Sequence, residues 1–188
     1  MIDVLLFHDP NDATFIKEDP CYFENMSKEN WPVNFLGVSA YEPCDVEQFN
    51  NIGLLSAYQF PYNLLDRRFE RVKVPVGMRV GRSVFLQGVL ASKNTIRQEC
   101  PVEVREIQAL YHRYLLRQGI NPITASLSFV AKSAYADYFV IGVEKKEQLI
   151  EILEQLEKIE NEVEINLNEI LDEFTDVHLS YLDPRTWK

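Results

Sequence analysis

The chain has 188 residues, of which 46% are hydrophobic and 12% aromatic, so it can bury one sizeable core, and a single domain spanning residues 1–188 is expected. Its net charge of -10, with no basic cluster longer than Arg67-Arg68, argues against nucleic acid or an anionic membrane as a partner. Cys21, Cys44 and Cys100 are odd in number and widely spaced, which argues against a disulfide framework or a metal site and favours a cytoplasmic location.

Five short apolar runs predict β-strands, at residues 2–8, 35–41, 54–62, 80–87 and 138–143. Asp3 and His8 interrupt the first run, so a signal peptide is not predicted. No apolar run approaches the roughly 18 residues that a membrane span needs. Strands that alternate with helices predict an α/β fold, with a parallel sheet covered on both faces.

Short helices are predicted around residues 21–28 and 42–50, with a helical turn at residues 63–69. Apolar residues spaced three and four apart predict a long helix over residues 104–115, closed by Gly119, and a second helix over residues 121–133. After the fifth strand, an apolar stripe over residues 145–159 predicts an outer-layer helix. The helical pattern continues or begins again over residues 160–169.

Several of these segments carry local motifs. They read IDVLLFHDP at residues 2–10, LGVSAY at 36–41, YQFPYNLLD at 58–66, RSVFLQGVL at 82–90, VIGVEKKEQL at 140–149 and DPRTW at 183–187. In this order the motifs resemble those of the aldo-keto reductase family, from roughly the fourth strand to the eighth. The resemblance implies a partial TIM (β/α)8 barrel, with about five parallel strands and surrounding helices. It also implies reduction of carbonyls with NADP(H) or NAD(H) at the C-terminal ends of the strands.

The resemblance implies one catalytic residue in this chain, His8. It matches the family histidine that orients the substrate carbonyl and supports proton donation. The residue pattern agrees, because an imidazole that ends an apolar barrel strand lies at the mouth of the barrel. The simpler alternative is a histidine that is hydrogen-bonded to loop groups.

Ser39 and Gln59 match the positions that hold the nicotinamide carboxamide, whereas Ala40 replaces the usual Asn. A Gln on an otherwise apolar strand needs polar partners, and a cofactor amide would supply them. The alternative is a buried Gln that bonds neighbouring strands.

Four further residues match the following strand end and loop, where the cofactor passes: Arg82, Ser83, Leu86 and Gly88. An arginine suits phosphate because the guanidinium can form bidentate hydrogen bonds to phosphate oxygens. Pairing of Arg82 with an acidic neighbour is the alternative.

Gly142, Lys145 and Gln148 match the last cofactor-binding motif, at the start of a helix whose N-terminal amides favour an anion. Glu144 stands where many NADPH-using members carry a basic residue, and Lys145 lies beside it. The sequence therefore leaves the choice between NADPH and NADH open. The alternative for Gln148 is a solvated helix residue.

The family also uses a proton-donating Tyr, tuned by a Lys and an Asp, and these precede the His8 motif. A complete barrel takes about 250 residues, so loss of the first three units is expected, and the outer strands would present unpaired edges. One functional reading is an NAD(P)H-dependent oxidoreductase acting on a small-molecule carbonyl, incomplete as this chain. The other is a non-catalytic truncated barrel that acts as a nucleotide-binding or interaction subunit. Self-association or a separate N-terminal half would complete the sheet.

Overall fold

The computed structural model describes residues 1–19, 21, 32–49, 53, 55–74, 76–92, 100–161, 165–175 and 177–187. These residues form a five-stranded sheet in which each strand pairs in parallel with the next along the chain. The strands are β1 (Ile2–Phe7), β2 (Val33–Ser39), β3 (Ala57–Pro61), β4 (Met78–Arg82) and β5 (Tyr138–Phe139). The predicted α/β fold with five parallel strands is therefore confirmed.

Six α-helices lie in the described part of the chain, together with short 3₁₀ turns. The helices are α1 (Phe15–Glu18), α2 (Pro43–Glu47), α3 (Val102–Arg117), α4 (Pro122–Lys132), α5 (Lys146–Asn161) and α6 (Leu167–Glu173). The 3₁₀ turns are Pro10–Ala13, Arg68–Arg71, Leu86–Gly88, Leu179–Leu182 and Pro184–Thr186. Most of the helix predicted at residues 21–28 lies outside the described residues.

Two strand predictions were wrong at their C-terminal ends. The fourth strand ends at Arg82 rather than at residue 87, because Ser83 has a φ of 59° and turns the backbone out of the extended conformation. The fifth strand has only two residues, Tyr138 and Phe139, which pair with Val80 and Gly81. The sequence pattern had extended it to residue 143.

Local capping explains where the longer helices begin and end. Gly119 has a φ of 69°, and the amide of Ile120 donates to the carbonyl of Leu115 at 2.9 Å, which closes α3 as predicted. The next helix begins immediately, since Asn121 Oδ1 accepts hydrogen bonds from the amides of Ile123 and Thr124 at 2.8 and 3.2 Å. These caps fix the α3–α4 corner.

The described residues divide into two compact units. The first comprises Met1–Tyr62, Arg67–Arg82 and Ala134–Phe139, and it contains all five strands. The second comprises Asn63–Asp66, Ser83–Ser133 and Val140–Lys188, and it contains α3 to α6. The expectation of a single domain stays a prediction.

Each unit has its own buried apolar residues. In the first unit an aromatic cluster forms beside the sheet, where the rings of Phe60 and Phe69 stack at 4.7 Å and Tyr135 packs edge-on to Phe60 at 5.7 Å. In the second unit, Tyr111 is fully buried and its ring packs edge-on to Phe174 at 5.6 Å. Such aromatic packing contributes beyond the area that it buries.

Candidate active site

Polar side chains interrupt the apolar strands of the first unit where those strands end. His8 follows β1, Ser39 ends β2, Gln59 lies near the end of β3, and Arg82 ends β4. The register pairs Phe7 with Val38, Ser39 with Gln59, and Pro61 with Arg82, so these residues lie along one edge of the sheet. In parallel α/β sheets, ligands bind outside the carboxyl ends of the strands.

Ser39 and Gln59 form a hydrogen-bonded pair across β2 and β3. The Ser39 hydroxyl donates to Gln59 Oε1 at 3.1 Å, and only 6% of the surface of Ser39 is exposed. The amide of Ala40 donates to the carbonyl of Gln59 at 2.7 Å, which holds the two strand ends together. The described residues show no further hydrogen bond from either side chain, so the Gln59 NH₂ group and the lone pairs of Ser39 are available to a ligand.

Arg82 is held against the end of β2. Its guanidinium donates to the carbonyl of Ala40 at 3.1 Å and lies over the ring of Tyr41, 4.0 Å from the ring centroid. A carbonyl and an aromatic face therefore orient the guanidinium, and the cation–π contact adds to its stability. Tyr41 ends the LGVSAY motif, but no role was assigned to it from the sequence, although an aromatic residue at a strand end could have been predicted to contact a nearby cation.

His8 is exposed and lies level with Ser39, because the register pairs the preceding residues of the two strands. Its imidazole makes no hydrogen bond to the residues that the structure describes. The neighbouring carboxylate is engaged elsewhere, since Asp9 Oδ1 accepts from the amide of Asn11 at 2.8 Å. His8 is thus open to a ligand at the same sheet edge.

The predicted loop residues Ser83, Leu86 and Gly88 belong to the second unit and form a strained turn. Ser83, Leu86 and Gln87 have φ values of 59°, 45° and 53°, although none of them is glycine. Left-handed backbone costs roughly 1 to 2 kcal/mol for each such residue, so surrounding contacts must hold it. Leu86 is 1% exposed, and the carbonyl of Ser83 accepts from Asn63 Nδ2 at 3.0 Å.

The last predicted group, Gly142, Lys145 and Gln148, lies at the start of α5 in the second unit. The side chain of Gln148 folds back over the helix start, where its Oε1 accepts from the amides of Glu144 and Lys145 at 2.7 and 3.1 Å. It therefore acts as an N-terminal cap. An anion at these two amides would have to displace Gln148, which the resemblance had assigned to the last cofactor-binding motif.

Comparisons with known proteins support the fold. No family model and no curated protein matches the chain. Among solved structures, the aldo-keto reductase AKR11C1 from Bacillus halodurans, in its apo form, matches with a TM-score of 0.67 and 17% sequence identity. The match covers 97% of this chain and 65% of that one. The predicted resemblance is confirmed for the fold, while its strand numbering stays a prediction.

The described residues contain no group of three or more His, Cys, Asp or Glu residues placed to hold a metal ion. None of the helices in the described part has the length and apolar character needed to cross a membrane.

Proposed function

We propose that this chain carries the nicotinamide-binding edge of an NAD(P)H-dependent carbonyl reductase of the aldo-keto reductase type. The observation that carries the proposal is the Ser39–Gln59 pair at the C-terminal ends of β2 and β3. The likeness to an aldo-keto reductase structure supports the fold in which such an edge would work.

The pair suits a primary carboxamide. Since the hydroxyl hydrogen of Ser39 is given to Gln59, the Ser39 oxygen is left as an acceptor, and the Gln59 NH₂ group is left as a donor. The carboxamide of nicotinamide offers the complementary NH₂ group and carbonyl oxygen. When bound, the cofactor would supply a hydride to a carbonyl carbon. Ser39 and Gln59 would hold its nicotinamide end.

Two neighbouring side chains have proposed roles at the same edge. Arg82, oriented by Ala40 and Tyr41, would meet the negative charge of the cofactor. His8 would orient the carbonyl of a small-molecule substrate, because it is exposed and level with Ser39. The proposal assigns binding and orientation to these residues and leaves the proton donor unassigned, because no tyrosine here matches the family position.

The remaining residues that we propose as cofactor ligands lie in the second unit. Ser83, Leu86 and Gly88 are proposed to line the path of the cofactor, and they would meet it through atoms other than the amides of Leu86 and Gly88, which donate to the carbonyls of Ser83 and Phe85 at 2.9 Å each. Gly142, Lys145 and Gln148 would contact the adenosine end only if the Gln148 cap opens. Glu144 is exposed beside Lys145, so NADPH and NADH are both proposed as ligands.

The test is a titration of the chain with NADPH and NADH, followed through the fluorescence of the reduced cofactor. Ser39→Ala removes one hydrogen bond, and Gln59→Met keeps the side-chain length but removes both polar atoms. Each lost hydrogen bond is worth about 1 kcal/mol, so a roughly fivefold weakening is expected for Ser39→Ala and more for Gln59→Met.

Asn34→Ala is the matched control. Asn34 also lies on β2, but it bonds Asp3 at 3.2 Å at the opposite end of the sheet, so its loss should leave cofactor affinity unchanged. Absence of saturable binding by the folded chain would refute the proposal. If neither Ser39→Ala nor Gln59→Met weakened binding, the cofactor would have to bind at another site. Binding without turnover of any aldehyde would favour the nucleotide-binding subunit over the reductase.

A further inference from the structure

The second unit contains a cavity of about 420 Å³ at the α3–α4 corner, and its lining includes none of the residues proposed above to bind the cofactor. A cavity of this volume lies within the size range of small-molecule sites. The polar lining comprises Gln118, Asn121, Thr124, Gln155, Asn166 and Glu169.

Gln155 is the buried centre of this lining. Only 8% of its surface and 5% of that of Thr124 is exposed, and the Thr124 hydroxyl donates to Gln155 Oε1 at 2.7 Å. The Gln155 NH₂ group has no hydrogen-bond acceptor among the described residues, and its atoms are not sealed from solvent. Water can therefore satisfy this donor in the free protein, and a ligand oxygen that replaced the water would accept the same hydrogen bond.

Two other carboxamide side chains are each held by hydrogen bonds to only one of their two polar atoms. Asn121 Oδ1 accepts from two backbone amides as the cap of α4, which leaves its NH₂ group. Asn166 Nδ2 donates to Glu169 Oε1 at 2.7 Å, which leaves the Asn166 carbonyl oxygen as an acceptor. Together with Gln155, these side chains offer hydrogen-bond donors and acceptors to the same cavity. Because they are already held in place, binding a ligand would cost little further side-chain entropy.

The charge and shape of the lining narrow the ligand class. No Lys or Arg lines the cavity within the described ranges, and Glu169 carries the one formal charge among its described walls, so an anion is disfavoured. Three isoleucines and the ring of Tyr114 supply apolar contact. Hydrogen-bond donors and acceptors beside apolar surface match a ring that carries hydroxyl groups on carbon.

We propose that this cavity binds a neutral polyhydroxylated molecule, a cyclic sugar or polyol, with Gln155, Asn121 and Asn166 bonding its hydroxyl groups. Tyr114 also lines the cavity, and its phenol, which is protonated at neutral pH like that of an ordinary tyrosine, adds a donor. The proposal concerns the second unit alone and does not depend on cofactor binding.

The test uses the full chain labelled with ¹⁵N, with D-glucose and myo-inositol as probes, and D-glucose 6-phosphate as an anionic comparison. We expect a saturable shift of the Gln155 side-chain NH₂ resonances with at least one neutral probe. Binding of the phosphate ester should be weaker by about tenfold, since the lining offers no positive charge.

Three variants separate binding from folding. Asn166→Ala, at the residue that precedes α6, should weaken binding about fivefold because one acceptor is lost. Asn168→Ala, two residues further on within α6, should have no effect because Asn168 does not line the cavity. Gln155→Met, provided that its spectrum shows a folded chain, should abolish saturation. The proposal is overturned if neither neutral probe saturates, if glucose 6-phosphate binds as well as glucose, or if the two asparagine variants behave alike.

Discussion

Replacing Gly37 by alanine should break the centre of the sheet. Gly37 lies in β2 and pairs with Ala57 of β3. A Cβ atom at residue 37 would overlap the carbonyl oxygen of Ala57, and it would lie 2.5 Å from its carbonyl carbon and 2.8 Å from its Cβ. These obstacles are largely backbone, so no side-chain rotation can relieve them.

The expected loss of stability follows from the hydrogen bonds of this strand pair. The described β2–β3 pairing comprises three positions, from Gly37–Ala57 to Ser39–Gln59. Separating the strands enough to admit a methyl group would forfeit on the order of three hydrogen bonds, each worth about 1 kcal/mol net. The gain in strand preference from Gly to Ala is only about 0.5 to 1 kcal/mol. We therefore expect Gly37→Ala to cost roughly 2 to 3 kcal/mol, a large share of a typical folding free energy.

Urea unfolding followed by far-UV circular dichroism measures the change, with two other glycines as controls. At Gly81 the obstacle is the end of the Phe139 ring, at 2.5 and 2.6 Å, which can rotate away, so Gly81→Ala should cost less. At Gly53 a Cβ meets nothing within 4 Å, so Gly53→Ala should leave the midpoint nearly unchanged. An equal midpoint for Gly37→Ala and Gly53→Ala would refute the reasoning.

Two further predictions concern charged groups. Hydrogen bonds from Arg79 hold the pKa of Asp137 below its usual value, so the pair stabilises the fold above about pH 4 and loses this contribution as pH falls through the lowered pKa. Because both side chains are partly exposed, wild type and Asp137→Asn should differ in their free energy of unfolding by at most about 1 kcal/mol at pH 7. Thermal unfolding should show this difference becoming smaller under acid conditions. A difference that does not change with pH would contradict the prediction. If the proposed cofactor site is correct, Glu144→Lys should raise the preference for NADPH over NADH about two- to fivefold in the fluorescence titration, whereas the same change at exposed Glu154 of α5 should not. Equal shifts for both variants would count against a 2′-phosphate near Glu144.

The order of elements was predictable because it depends on local patterns. Apolar runs of the right length predicted all five strands, and the cap residues Gly119 and Asn121 predicted the corner between α3 and α4. The predicted positions of the strand ends were less accurate, because an apolar pattern contains no information on the backbone angle φ. At Ser83 the backbone adopts the left-handed conformation, although the apolar pattern there still predicts a strand.

The candidate site was predictable only in part. The sheet register brings His8, Ser39 and Gln59 to one edge, as the motifs implied, and their roles stay predictions. The Gln148 cap is a local contact that the spacing could have predicted. The Thr124–Gln155 bond joins residues 31 apart in sequence, and no local pattern predicts such a pairing.

Gly37→Ala also tests whether the stability of the fold and the geometry of the proposed site both depend on the β2–β3 pairing. Gly37 lies two residues before Ser39, and the same strand pairing that a methyl group would disturb brings the Ser39 hydroxyl to Gln59 at 3.1 Å. If this pairing sets the site, the folded fraction of Gly37→Ala should bind NADPH more weakly than Gly81→Ala, even under conditions where both are fully folded. Undiminished binding by folded Gly37→Ala would show that the cofactor does not need the Ser39–Gln59 geometry, because the strand separation that a Cβ at residue 37 requires would also change a hydrogen bond two residues away.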